Sequence, residues 1–249
     1  MEWQAPAVVL GVRPHGESGA LISLLTEAHG RHAGLAKGGA SRAQSPIWQT
    51  GNLVEARWVA RLAEQLGAVS AEMVHPGAAL AMDDPLALAL LTAACALAET
   101  ALPERQAHPR CFYGLVSLIS RLPGGVKRVL PDYVRWEALL LEELGYGLDL
   151  AACALTGSND DLVWVSPKTG RAVSAAAGEP WRDRLLPLPA FLLADDRAGG
   201  NNPPGPRDWL DGLRMTGHFL GRHAYGQAQK PLPQARHMLL DRLATLADG

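Results

Sequence analysis

The sequence predicts an α+β protein: a small β-unit over residues 1–78, then a mainly helical body over 79–249 with a β-hairpin insert at about 150–180. Three observations carry this. Short apolar runs of strand length, divided by Gly and His turns, crowd the first quarter of the chain. Past Pro76 the spacing of apolar residues becomes helical. Within that helical part, Pro167-Lys168-Thr169-Gly170 has turn chemistry and lies between two short β-prone runs.

The strands are read in order. Ala7 to Val12 (AVVLGV) is the first, followed by the turn Pro14-His15-Gly16-Glu17-Ser18-Gly19. Ala20 to Thr26 is the second, closed by His29-Gly30, and Arg31 to Lys37 the third, closed by Gly38-Gly39. Asn52 to Val59 and Gly67 to Val74 supply two more, joined by a turn over Leu62 to Leu66. Five short strands at this spacing suggest a small barrel or sandwich, and the apolar runs alone also leave a strand–helix mixture open.

The helices follow. Asp83 or Asp84 caps a helix with Pro85 in its first turn, running to about Thr100. Pro109 to Arg121 is a second, stopped by Pro123-Gly124-Gly125, and Pro131 to Leu144 a third, with Gly145 as its stop. Leu162 to Ser166 and Arg171 to Ser174 form the hairpin. Arg197 to Pro206 (RAGGNNPPGP) reads as a loop or linker, and Trp209 to Tyr225 and Pro233 to Ala247 as two closing helices.

Composition narrows the function classes. The 249 residues are 48% hydrophobic and 19% charged, an ordinary globular balance. Net charge is −2 and the pI about 6.4, so any affinity for nucleic acid has to come from local patches. Cys95, Cys111 and Cys153 are widely spaced, which argues against a disulfide framework. The apolar stretch Pro85 to Leu102 contains Glu99 and falls short of the ~20 uninterrupted residues a membrane span needs. The first residues show no basic segment followed by a long apolar one, so no signal peptide is expected. A cytoplasmic, nucleoid-associated protein with no membrane partner is the expectation.

Charge is unevenly placed. Residues 28–61 carry Arg31, Lys37, Arg42, Arg57 and Arg61 against Glu55 alone. Gly38 and Gly39 let backbone amides approach a phosphate, with Lys37 and Arg42 supplying charge and Ser41 and Ser45 hydroxyls. The plainer reading is a solubilising turn. Trp48 and Trp58 are either stacking platforms or core, with core favoured for Trp58 in its apolar strand. Residues 105–135 hold Arg105, Arg110, Arg121, Lys127, Arg128 and Arg135 against Asp132. Arg214, Arg222, Lys230, Arg236 and Arg242 mark the closing helices, with His218, His223 and His237 among them. These are solvated helix faces, a second DNA contact, or a dock for an acidic peptide.

Catalytic signatures are missing from the sequence. Gly16-Glu17-Ser18-Gly19 is not a nucleophile elbow, and there is no P-loop or GxGxxG. His218 and His223 stand five apart, not the four that aligns two ligands on one helical face. Asp195-Asp196 and Glu142-Glu143 are adjacent pairs that diverge on a helix. The expectation is a non-enzyme without cofactors.

Taken together, the motifs resemble a family. Ala7-Val8-Val9-Leu10, Arg13-Pro14-His15-Gly16-Glu17-Ser18, Leu24-Leu25-Thr26-Glu27-Ala28-His29-Gly30 and Ala36-Lys37-Gly38 resemble, in that order, the N-terminal domain of the bacterial recombination mediator RecO. The stretch Trp136 to Gly145 followed by Leu148-Asp149-Leu150 resembles the family's helix before its insert. Cys153 to Gly157 and Val165 to Val173 are similar to the alphaproteobacterial form.

The resemblance implies an OB-fold barrel and a mediator that binds single- and double-stranded DNA and anneals complementary strands. With RecR, such a mediator helps recombinase load onto strands coated by single-stranded-DNA-binding protein. DNA contacts on the barrel would map to Lys37 and Arg42, with Arg31, Arg57 and Arg61 as weaker candidates. Arg121, Lys127 and Arg128 are candidates for the acidic C-terminal tail of single-stranded-DNA-binding protein, or for a second DNA contact. Some members hold zinc with four cysteines around the insert. Here only Cys153 stands at such a position, so a zinc-less insert stabilised by packing is expected. Rival readings are a non-DNA-binding interaction adaptor with an OB-like barrel and, third, a hydrolase using the His-rich closing helices.

Overall fold

A computed structural model describes residues 1–62, 65–193 and 203–248. The chain divides into two compact units, residues 1–129 with 233–236 and residues 130–232 with 237–249.

The first unit opens with five strands: β1 (Glu2–His15), β2 (Gly19–Thr26), β3 (Gly30–Ala36), β4 (Leu53–Val59) and β5 (Gly67–His75). They close into a barrel of order β1-β2-β3-β5-β4. The molecule is therefore mixed α+β, with an N-terminal barrel consistent with the OB fold. β1 serves two neighbours. Its first half pairs with β4 (Glu2↔Val59 to Val8↔Leu53) and from Ala7 onward it pairs with β2 (Ala7↔Thr26 to His15↔Gly19), with an irregularity in that second pairing between Val9 and Gly11. An extra residue at that point bends the strand and lets one segment turn the corner of the barrel.

The interior comes from the period-two pattern. Val9, Ile22, Leu24, Val54, Ala56, Trp58 and Val69 point inward and are buried. Closure of the ring depends on size. β3 and β5 pair in parallel only at Gly34↔Gly67 and Leu35↔Ala68. A Cβ on Gly67 would stand 2.3 Å from the Trp58 ring, and one on Gly34 3.1 Å from it. Trp58 fills the space that side chains on both strands would need, and its indole N–H donates to the Ala33 carbonyl at 3.0 Å. Trp58 is core, as its apolar strand suggests, and so is Trp48, each 2% exposed.

Helices α1 (Gly77–Ala81), α2 (Pro85–Ala101) and α3 (Pro109–Arg121) complete the body of the first unit, with α2 packed against β1 and β2. Asp84 caps α2 by accepting from the N–H groups of Leu86 (2.9 Å) and Ala87 (3.2 Å). Helix α4 (Val126–Glu143) starts five residues earlier than the sequence suggests, so Pro131 lies inside it and not at its first turn. Val126, Val129, Leu130, Tyr133 and Val134 are all buried at helical spacing, and that burial outweighs the hydrogen bond Pro131 removes.

In the second unit, β6 (Leu162–Val165) and β7 (Ala172–Ser174) form the expected hairpin. The chain passes through a short helix, α5 (Ala175–Gly178), and a 3₁₀ turn over Glu179–Arg184 to β8 (Leu186–Pro187), which adds a third strand beside β6. α6 (Pro206–Phe219) continues into a wider π turn over Leu220–Tyr225, where a single regular helix was expected, and α7 (Gln234–Asp248) ends the fold. Residues 63–64 of the Leu62 to Leu66 turn, residues 197–202 of the Arg197 to Pro206 loop, and the pair Asp195-Asp196 lie outside the described residues. Among the described residues, no helix is long and apolar enough to cross a membrane.

Candidate nucleic-acid interface

Register sorts the five basic candidates of the barrel into three places. Ala36 pairs with Ala20, which pairs with Pro14, so Lys37 leaves β3 at the same end as the His15–Ser18 turn. The Ala40 N–H donates to the Ser18 carbonyl at 3.0 Å, bringing the loop that carries Lys37 and Arg42 against that turn. Lys37 and Arg42 are both exposed, and neither has a carboxylate partner among the described residues.

The loop holding them is built, not slack. Gly38 takes φ +68°, a left-handed conformation that glycine adopts without strain. The Ser41 N–H donates to the Gly38 carbonyl at 2.9 Å, Ser45 to Ser41 at 2.8 Å, and Ile47 to Gln44 at 3.0 Å. Trp48 then plugs into the barrel core. Asn52, 1% exposed, ties the loop down. Its Nδ2 donates to the Pro46 carbonyl (2.8 Å) and the Ile47 carbonyl (3.2 Å), and its Oδ1 accepts from the Ala78 N–H of α1 at 3.1 Å.

The other three candidates are elsewhere. Arg61 follows Val59, which pairs with Glu2, and so lies at the opposite end of the barrel from Lys37. Arg31, near that same end, is engaged. Its Nε donates to the Leu102 carbonyl at 2.9 Å and its Nη1 pairs with Glu104 at 3.1 Å, leaving its side chain 21% exposed. Arg57 sits on the outer face of β4, ion-paired with Glu2 at 2.6 Å. Hydrogen bonding to Arg57 and its charge hold the Glu2 carboxyl below the usual range. Around this pair an open groove of about 260 Å³ is lined by Gln4, Glu55, Arg57, Ser70 and Glu72, with Glu55 directly opposite Glu72. That face carries more acid than base and is a poor surface for a polyanion.

At the Arg61 end, imidazoles and indoles stack. Trp3 lies on His29 (centroids 4.7 Å) and on Trp58 (5.9 Å), and His32 meets both indoles edge-on at 5.4 Å. Burial pushes the pKa values of His29 and His32 down. For His32 the bond to the His29 carbonyl opposes this, and the charge of Arg105 adds to it.

Arg121, Lys127 and Arg128 follow one another across the end of α3, the 3₁₀ turn Leu122–Gly124 and the start of α4, and all three are exposed. The alternation with buried Leu122, Val126 and Val129 places them on the solvent side of this corner.

Cys153 is buried and hydrogen-bonded within the insert: Ser174 donates to its Sγ from N (3.3 Å) and Oγ (3.5 Å). Burial alone would raise this thiol, but the bonds from Ser174, Thr156 and the Leu155 backbone prevail and bring it down to about 6. Among the described residues, no three His, Cys, Asp or Glu side chains come together to hold a metal. The described residues around Cys153 therefore do not supply the four ligands of a structural zinc site. His218 and His223 diverge: His218 Nε2 meets the Pro167 carbonyl at 3.0 Å, whereas His223 stacks on Tyr146 at 4.9 Å.

The sequence reading missed Asn52, whose lone polar side chain before a strand carries no motif. It also passed over Trp181, a tryptophan flanked by Arg182 and Arg184 that the fold leaves 53% exposed.

Comparison with known proteins agrees with this architecture. Residues 1–76 match the family model described as Recombination protein O N terminal, and residues 82–232 the one described as Recombination protein O C terminal. A DNA repair protein RecO from Granulibacter bethesdensis is 54% identical over 248 residues, covering 100% of this chain and 98% of that relative. Proteins of the same name from Acidiphilium cryptum (54% over 249 residues) and Gluconacetobacter diazotrophicus (52% over 257) are covered to the same extent. Since both family models match in order and the relatives align nearly end to end, this chain belongs to the RecO family.

Proposed function

We propose that the protein serves DNA repair as a recombination mediator. In this reading it binds single- and double-stranded DNA at the barrel rim, anneals complementary strands, and with RecR assists recombinase loading onto strands coated by single-stranded-DNA-binding protein. The observation that carries the DNA-binding part is the rim loop, where Lys37 and Arg42 are exposed and without carboxylate partners on a loop held by Trp48 and Asn52. Arg31 and Arg57, already ion-paired, contribute less, and Arg61 belongs to a different end. The exposed corner of Arg121, Lys127 and Arg128 is the proposed dock for the acidic tail of single-stranded-DNA-binding protein, acting through charge attraction.

The test is binding of a fluorescent single strand across a salt series. Lys37→Ala with Arg42→Ala is expected to weaken binding of every sequence alike and lower the log–log salt slope by about 1.4, roughly 0.7 per lost phosphate contact on a single strand. Arg57→Ala is the control and should leave the slope unchanged. An unchanged slope in the double variant would move the site off this rim. A second reading, an adaptor whose barrel meets a protein, is favoured by the acidic groove of Glu55 and Glu72; absence of strand binding at low salt would leave it standing alone.

A further inference from the structure

The small sheet of the second unit gathers unneutralised cations and an exposed indole at one end. β8 runs antiparallel to β6 with Val165 opposite Leu186, so the chain entering β8 lies beside the chain leaving β6. The last residues of the Glu179–Arg184 turn, Arg184 among them, and the Pro167–Gly170 turn therefore share an end of the sheet. The π turn after α6 reaches the same place: Arg222 Nη1 donates to the carbonyls of Pro167 (2.7 Å) and Lys168 (3.4 Å), beside the His218 contact. A π turn within a helix is uncommon and often marks a functional position.

Acids offset only part of this charge. Asp149 pairs with Arg171 at 3.2 Å, and Glu179 (3.5 Å) and Asp183 (3.6 Å) pair with Arg182. Lys168, Arg184 and Arg222 have no carboxylate partner among the described residues. The bonds of Arg222 use one nitrogen of its fork and leave the others for a ligand. Arg184 lies over the Trp181 ring, 6.0 Å from its centroid, yet Trp181 remains 53% exposed. The His223 pKa is held down first by burial and then by the charges of Arg222 and His218.

We propose that this end of the sheet binds single-stranded nucleic acid, with Trp181 stacking on a base and Lys168, Arg184 and Arg222 meeting phosphates. An acidic peptide would satisfy the cations but leave the indole face unused, whereas every base has a π-face to set on it. The site uses only residues of the second unit and needs nothing from the barrel rim. It shares that rim's ligand class, and so gives one chain a place for each of two strands.

The test uses the full chain and an oligodeoxythymidylate carrying photoreactive 5-bromodeoxyuridine, with cross-linked peptides located by mass spectrometry. Cross-links are expected on the peptide containing Trp181. Trp181→Ala is expected to weaken binding at this site roughly 5- to 100-fold while the rim still binds, and Trp181→Phe retains most of it. The same loss should appear when Trp181→Ala is added to Lys37→Ala with Arg42→Ala. As Trp181 is exposed, circular dichroism should show each variant folded. Cross-links confined to residues 1–129, or an unchanged affinity in the combined variant, overturn this site and leave the rim standing. Protection of Trp181 by polyglutamate but not by the oligonucleotide overturns it in favour of an acidic-peptide dock. No binding by the unaltered chain at low salt removes both sites.

Discussion

Asn52→Ala tests whether the rim loop is held as the geometry implies. The side chain makes three hydrogen bonds, two as donor to Pro46 and Ile47 and one as acceptor from Ala78. A net ~1 kcal/mol for each puts the loss at about 3 kcal/mol, since the residue is buried and water cannot easily replace the partners. With a urea dependence of roughly 1–3 kcal/mol per molar, the unfolding midpoint should fall by about 1–3 M. Urea unfolding followed by tryptophan fluorescence measures this, because Trp48 and Trp58 report on the barrel core. Hydrogen exchange should quicken at Ser45 and Ile47, whose amides close the loop turns. Single-strand binding should weaken through Arg42, which rides on the freed loop, more than through Lys37 at the strand end. A loss below ~0.5 kcal/mol with unchanged exchange at these amides would refute the idea that Asn52 anchors the loop.

Two further outcomes follow from the barrel's interior. Gly67→Ala drives a methyl to within 2.3 Å of the Trp58 ring at the parallel closure of the barrel, and should cost about 1–3 kcal/mol or more in thermal or urea unfolding; wild-type stability would show that the closure yields easily. His29 and His32 have pKa values lowered by burial, so the unfolded state binds more protons. Their contribution is present above the unfolded value near 6.5 and is lost as pH falls through the folded values. Stability measured from pH 7.5 to 5 should therefore decline, and His32→Asn should flatten the decline; an identical pH profile in the variant would count against this assignment.

Where local chemistry and tertiary need agree, the sequence is readable. The later strand runs, the Asp84 cap and the Pro167–Gly170 turn each carry their own signal and sit where that signal puts them. β1 instead extends from Glu2 to His15, past the apolar run Ala7 to Val12 and into the expected turn, because its flanks pair with β4 and β2. Pro131 shows the limit: a proline argues for a helix start, but the burial of Val126 and Val129, which only the packed fold reveals, extends the helix past it. The charge count over residues 28–61 also misleads in one respect. It groups five cations that are close in sequence, whereas register sends Lys37 and Arg42 to one end of the barrel, Arg61 to the other and Arg57 to an acidic face. No motif marks the Trp181 cluster either, because its members come from separate segments joined only by the β6–β8 pairing and the π turn.

This separation bears on how a chain of net charge −2 can meet a polyanion. β3 spans seven residues, or roughly 20 Å at ~3.3 Å per residue, so the two ends of the barrel stand more than two Debye lengths apart at physiological salt. Glu55 and Glu72 lie instead on the outer face of β4 and β5, and how far their charge reaches toward phosphates at Lys37 and Arg42 is set by the Debye length, about 8 Å at physiological salt. At low salt the Debye length grows to about 30 Å and the acidic face is felt as well. The rim's affinity should then rise less steeply below ~10 mM salt than a simple count of contacts implies. Glu72→Gln should restore the steeper rise without altering binding at physiological salt, and a uniform gain at all salt concentrations would mean that the two surfaces are electrostatically one.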